Sequence, residues 1–174
     1  MEIKSQISNP DGSITQVIYN DADSFNLLDK SKVKQVYGVC FFEGKMLIVF
    51  NGKRKAWGLV GGSIEPNESF EECLKREVEE ESNMEVISSV PIGYQVVTVS
   101  SGTIYQLRFA CTVRPIAPFV TDPDNSITEI KLIDPLSYKD FFYWGEIGDR
   151  IIKRGTELQA GLSKQRFMQA CQII

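Results

Sequence analysis

The chain has no histidine among its 174 residues. That absence removes serine–histidine triads, histidine general bases and histidine-ligated zinc together. Cysteine is sparse. Cys40, Cys73, Cys111 and Cys171 are widely scattered and form no Cys-x-x-Cys pair, so metal-ligand and redox spacing are both missing. They read as small buried hydrophobes in a reducing compartment. Long apolar runs are also lacking: the longest, residues 39–42 and 46–50, are far too short to span a bilayer. The opening Met1-Glu2-Ile3-Lys4-Ser5-Gln6 has no basic-then-apolar signal pattern. We therefore expect a cytoplasmic protein with no membrane partner.

Net charge is −4, which gives little support to a nucleic-acid partner. Its distribution says more. Residues 68–81 hold seven carboxylates and two cations, a local balance of −5, so the rest of the chain sums to +1. One short segment carries the whole acidic excess.

The pattern around that segment is mostly strand. Residues 3–8 and 13–19 suit a hairpin across the Asn9-Pro10-Asp11-Gly12 turn, so residues 1–30 read as an N-terminal extension outside the core. Residues 21–30 read as a short helical turn. Strands are predicted over 33–42, 46–50, 57–60, 86–99, 103–113 and 127–133, with turns at Glu43-Gly44-Lys45, Asn51-Gly52 and Ser100-Ser101-Gly102. Residues 69–82 read as a helix with a Ser69/Glu72 capping box. Residues 146–154 and 163–171 read as two C-terminal helices. Strands outnumber helices, which predicts an α+β fold with the sheet between helices.

At about 100° per residue, Phe70, Cys73, Leu74 and Val78 form the apolar side of the central helix. Glu71, Glu72, Lys75, Glu79 and Ser82 fall opposite. Glu77 and Glu81 align with Phe70 and Leu74, and Glu80 sits at the edge of that side. Three carboxylates at i, i+3 and i+4 are near neighbours that repel. Inward-pointing charge is costly without a partner. A bound cation resolves both, and all-oxygen ligation suits Mg²⁺ or Mn²⁺.

The spacing sharpens this. Gly62 is followed by five residues, Glu68, seven more, and then Arg76-Glu77-Val78-Glu79-Glu80-Glu81-Ser82-Asn83-Met84. This resembles the Nudix box, with six of its seven fixed residues in place and Asn83 where the last Gly is usual. Asn is the best non-Gly residue for the left-handed helix end that this Gly looks to supply. The resemblance implies a Nudix domain over residues 31–174. Glu77, Glu80 and Glu81 look like the metal ligands, with Gly61 and Gly62 letting backbone approach metal and phosphates. Arg76 and Glu68 look like partners that orient the carboxylates. One of these three, Glu80 among the catalytic candidates, or a carboxylate outside the box would take a proton from the attacking water.

The activity so implied is Mg²⁺-dependent hydrolysis of a nucleoside diphosphate linked to another group, a nucleotide-type small molecule. The alternative is a nucleotide or ADP-ribose sensing module that keeps the fold without turnover. Within the enzyme class, the string SQPWPFPxS of NADH-acting members is missing. No Pro stands about fifteen residues past the box, as in ADP-ribose hydrolases; Pro91 is too near. These absences lean toward a nucleoside triphosphate, oxidised ones included. Outside the box, Lys53 and Arg54 are candidates to reach phosphates, and Tyr105, Phe109 and Trp144 to stack on a base. Glu129 is the candidate extra acid, with Asp124 its rival.

Overall fold

The computed structural model describes residues 1–8, 12–99 and 102–171. The turns predicted at 9–12 and 100–102 therefore lie, apart from their glycines, outside the described residues. The strands are β1 (Glu2–Ser8), β2 (Ile14–Asp21), β3 (Val33–Phe42), β4 (Lys45–Asn51), β5 (Ala56–Gly58), β6 (Val60–Ser63), β7 (Met84–Val99), β8 (Gly102–Pro115) and β9 (Ile127–Ile133); the helices are α1 (Phe70–Ser82) and α2 (Gly145–Cys171). Short 3-10 turns occupy Lys30–Lys32 and Pro135–Asp140. The sheet runs β1-β2-β7-β8-β3-β4-β5, with β6 also on β3 and β9 on β4. It is mixed: β3 and β8 run parallel, while β7 and β8 run antiparallel.

Strand alternation builds two core layers. Successive side chains point to opposite faces, so Val39 and Ala110 join one layer while Cys40 and Phe109 join the other. On one face Cys73, Leu74 and Val78 of α1 pack with Val36, Leu107 and Phe109. Burying Leu74 and Val78 stabilises by about 1.5–3 kcal/mol each. On the other face Ile147, Ile151 and Ile152 of α2 pack with Val39, Phe41 and Ile48. The expected α+β sandwich is thus observed.

Three local expectations change. Residues 57–60 are two strands, because the chain swaps partners at Leu59: Gly58 pairs with Val49 of β4, and Val60 pairs with Gly38 of β3. A single helix runs where two are predicted after residue 145. Gly155 lies inside it, since a Cβ there would come within 3.0 Å of Val39. Close packing outweighs the roughly 1 kcal/mol cost of a helical glycine. Residues 1–30 are not outside the core. Val17 and Tyr19 of β2 are buried in the α2-side layer, and β2 extends the sheet along β7.

An ion cluster ties this hairpin to α2. Asp21 accepts from Arg150 at 3.0 and 2.6 Å and sits 3.3 Å from the N-terminal amine. Arg154 donates to the Ile92 carbonyl at 2.7 Å and pairs with Asp23. The Arg150 hydrogen bonds hold the Asp21 carboxyl below its ordinary value. A depressed folded pKa contributes stability above the unfolded value of about 3.9, and that stability is lost as pH falls through the folded pKa. Asp21→Asn is expected to cost about 1–3 kcal/mol at pH 7. The gap to the parent should close below about pH 3.9 in urea titrations run across pH; a gap that stays constant down to acid would refute the charged-pair account.

Candidate active site

The helix α1 begins where its sequence says it should. Ser69 accepts from the Glu72 N–H at 3.2 Å, and the Glu72 carboxylate accepts from the Ser69 N–H at 2.8 Å, closing the capping box. It ends at Asn83, in the left-handed region at φ 52°, ψ 36°, with its N–H on the Glu79 carbonyl. The Asn83 amide also donates to the Pro118 carbonyl at 2.9 Å. Ser82 is buried, against the helical-wheel expectation, because its hydroxyl bonds back to the Val78 carbonyl and needs no water.

Arg76 organises the acids. Its guanidinium donates to both oxygens of Glu68 at 2.8 and 3.0 Å, to Glu77 at 2.9 Å, to Glu80 at 3.2 Å and to the Ser63 carbonyl at 3.0 Å. The Arg76 bonds bring the Glu68 carboxyl down to about 2. Glu77 is buried, and burial raises its pKa despite the Arg76 contact. Glu81 differs. Its only hydrogen bond among the described residues comes from the Gly61 N–H at 2.9 Å. Burial, with added repulsion from Glu77, Asp122 and Glu80, pushes its carboxyl up to about 8.

Backbone closeness on the facing strand requires both glycines. Gly61 has φ 142°, and a Cβ there would lie 2.2 Å from the Val36 carbonyl. A Cβ on Gly62 would lie 2.5 Å from the Glu77 carboxylate.

The donor set is hard oxygen throughout, and one member, Glu81, is part-buried with no cationic partner among the described residues. That chemistry fits a divalent cation. Among the described residues no three acidic side chains converge tightly enough to form a ready-made cage, because Arg76 draws Glu77 and Glu80 toward itself. A divalent cation that keeps some of its waters needs no complete protein cage.

A cleft of about 1260 Å³ opens beside these acids. Arg76, Glu77, Glu80, Glu81, Gly61, Gly62 and Arg54 line it. Five other predicted residues do not: Glu68, which is held by Arg76, and the four that follow. Glu129 points to the exposed side of β9 and pairs with Lys131 at 3.1 Å. Lys53 donates to the Asp124 carbonyl at 3.0 Å, tying two loops together. Tyr105 packs on Tyr94, ring centres 5.8 Å apart, because alternation along β8 turns Gln106 toward the cleft instead. Phe109 is buried edge-on to Phe25. Trp144 does line the cleft.

Several cleft residues escape sequence reading. Asp122 is buried beside the acids, held by the Ser126 hydroxyl at 2.6 Å and the Ile127 N–H at 2.9 Å. Its signal is the turn-rich Thr121-Asp122-Pro123-Asp124-Asn125-Ser126. Gln35, Tyr37, Gln95, Gln106 and Arg108 form a polar floor. Their signal is a polar residue at every second position within otherwise apolar strands. Arg108 is buried; its guanidinium stacks on the Tyr37 ring at 4.4 Å, and burial brings its pKa down to about 10.

The NUDIX domain family model matches residues 33–150. The chain belongs to the Nudix family. Solved structures agree on the fold. A pyrophosphohydrolase from Bacillus subtilis is 21% identical with TM-score 0.60, over 75% of this chain and 77% of that one. A NUDIX hydrolase from Nitrosomonas europaea is 22% identical with TM-score 0.54, over 75% and 90%. A MutT protein from Bacillus halodurans is 18% identical with TM-score 0.53, over 68% and 78%. No curated protein matches the chain. No helix among the described residues is long and apolar enough to cross a membrane.

The helix end gives a test. Asn83→Ala forces a residue with no local hydrogen bond into the left-handed region, at about 1–2 kcal/mol, and removes the Pro118 contact. Asn83→Gly removes the contact but relieves the backbone, so the denaturation midpoint should fall clearly for alanine and little for glycine. Equal losses would place the whole effect in the side-chain bond.

Proposed function

We infer that this chain is a divalent-cation-dependent hydrolase of nucleoside diphosphates linked to another group, acting in the cytoplasm on a nucleoside triphosphate or an oxidised nucleotide. The observation that carries this is Glu81: a part-buried carboxylate at the cleft, with one backbone N–H as its only hydrogen-bond donor among the described residues. Such a group is stable in its charged form only with a cation beside it.

Glu77, Glu80 and Glu81 would hold the cation, with Mg²⁺ or Mn²⁺ the ions their oxygens suit. When bound, it supplies charge neutralisation at the phosphate oxygens and acidifies the attacking water. The remaining work falls to side chains. Arg76 fixes the rotamers of Glu77 and Glu80 and takes its own orientation from Glu68. Glu80, the most exposed of the carboxylates that Arg76 contacts, accepts the proton of the attacking water. Arg54, lining the same cleft, meets phosphate charge. Water adds to phosphorus as the phosphoanhydride P–O bond breaks, giving a nucleoside monophosphate and pyrophosphate or a phosphorylated partner.

Glu80→Gln keeps size and most packing but loses charge and basicity. Turnover of nucleoside triphosphates with Mg²⁺ should fall by about 10²–10⁴-fold with an unchanged unfolding midpoint. Chelation of the cation should stop the parent enzyme, and added Mg²⁺ should restore it. Full activity in the Glu80→Gln variant would remove the assignment. Nucleotide binding without product at any Mg²⁺ or Mn²⁺ concentration would instead favour a sensing module.

A further inference from the structure

The floor of the cleft contains a buried cation with no carboxylate beside it. Arg108 donates through Nη1 to its neighbour's Leu107 carbonyl at 3.0 Å, and through Nη2 to the side-chain oxygens of Gln95 and, at 3.0 Å, Gln106. Its Nε is buried and has no hydrogen-bond partner among the described residues. A charged residue placed this way does more than fill space.

Arginine has five N–H donors and no acceptor. The two amides it touches must therefore present oxygen to it, and neither can be flipped. The consequence passes along the strands. With its oxygen on Arg108, Gln106 has only its NH₂ left to offer, and it gives one hydrogen to the Gln35 oxygen at 2.6 Å. Gln35 is thereby oriented as well. What remains for the cleft is the NH₂ of Gln95 and the NH₂ of Gln35, and among the described residues no other group accepts from either. Register keeps them together: Gln95 pairs with Gln106 across β7 and β8, and Gln106 pairs with Gln35 across β8 and β3.

The floor is thus rich in donors and poor in acceptors, with a positive charge behind it. Nη2 is spent on the two amides, Nη1 is turned to main chain and Nε is buried, so this is not a bidentate phosphate grip. Aromatic rings line the same cleft, with Tyr143 60% and Trp144 40% exposed. A flat ring that stacks on an aromatic and offers carbonyl oxygens at its edge satisfies both walls. We propose that the Arg108–Gln106–Gln35 relay and Gln95 select a nucleobase presenting carbonyl acceptors, an oxo-purine or oxo-pyrimidine, over adenine. Adenine offers an amino donor where these bases carry an oxygen, and two donors facing each other leave both unpaired. The selection deepens the hydrolase reading above, because it names the base end of a substrate whose phosphates lie at the acids.

The test is equilibrium binding of GMP, UMP and AMP to the full chain, read by tryptophan fluorescence without metal, then kcat and KM for GTP, UTP and ATP with Mg²⁺. Binding needs no hydrolysis, so it stands even if the enzyme reading fails. The parent should prefer GMP or UMP to AMP by about tenfold or more. Gln35→Leu and Gln95→Leu, both at half-exposed positions, should each cut that ratio by about fivefold or more, with the kinetic change chiefly in KM. Arg108→Met should do the same if it folds; the two glutamine variants decide the matter if it does not. A parent that prefers AMP, or a ratio unmoved in both glutamine variants, overturns the proposal.

Discussion

The guanidinium of Arg76 stands among three carboxylates of one short segment, and the geometry of the site follows from how it divides its donors. Two like charges about 5 Å apart repel by on the order of 3 kcal/mol at an effective dielectric of about 20. Without an internal cation, α1 would carry several such terms along one side. Arg76 meets Glu68 with two donors, and Glu77 and Glu80 with one each. It cannot also reach Glu81, a full turn and a further residue along the helix. The arrangement therefore compensates three acids and leaves the fourth waiting for charge from outside. The glycines complete it: Gly62 makes room for Glu77, and Gly61 brings a backbone donor to Glu81. Helix, cation and strand act as one device, and a change at any of them alters where the carboxylates point.

The same economy shapes the sheet. On the face beneath α2, β3 presents Gln35, Tyr37, Val39 and Phe41 in alternation, and β8 presents Gln106, Arg108 and Ala110. Val39, Phe41 and Ala110 are apolar and covered by the helix. The preceding residues are polar and open to the cleft. One face thus changes character along its length, from core to binding floor. Tyr37 sits at the junction, with its ring under Arg108 and its backbone paired to Gly61. It links the floor, through its ring, to the acids, through its backbone partner Gly61.

How much of this the sequence discloses depends on the range of the interaction. The box, the capping pair and the left-handed Asn83 are local, and each stands where residue spacing puts it. The strands from β3 to β9 are legible because β-branched and aromatic residues cluster between turn signals. What is not legible depends on which strands become neighbours. Tyr105 is one residue out of phase with the cleft, and alternation makes that slip total, whereas Glu129 stands exposed on β9 and is taken up by Lys131. Asp122 is brought to the acids by a loop whose path no periodicity encodes. The floor is harder still. Gln95 and Gln106 face each other across neighbouring strands, but Gln35 is far from both in sequence, and only the parallel pairing of β3 with β8 brings it beside Gln106.

The register of β7 against β8 makes the N-terminal hairpin part of the functional unit. The family match begins at residue 33, yet Ser5, Gln6 and Val17 line the cleft. Tyr19 is the deeper connection. Its hydroxyl donates to the Ile92 carbonyl at 2.9 Å, at the point where the β7–β8 register shifts between Pro91 and Gly93. A side chain on Gly93 would strike that hydroxyl. The irregularity is therefore held by β2, and beyond it Gly93 comes opposite Arg108 and Gln95 opposite Gln106. Without the bulge, β7 would run one residue out of register there, and Gln95 would turn to the other face. The hairpin lies outside the matched segment, but it sets the alignment on which the donors of the floor depend.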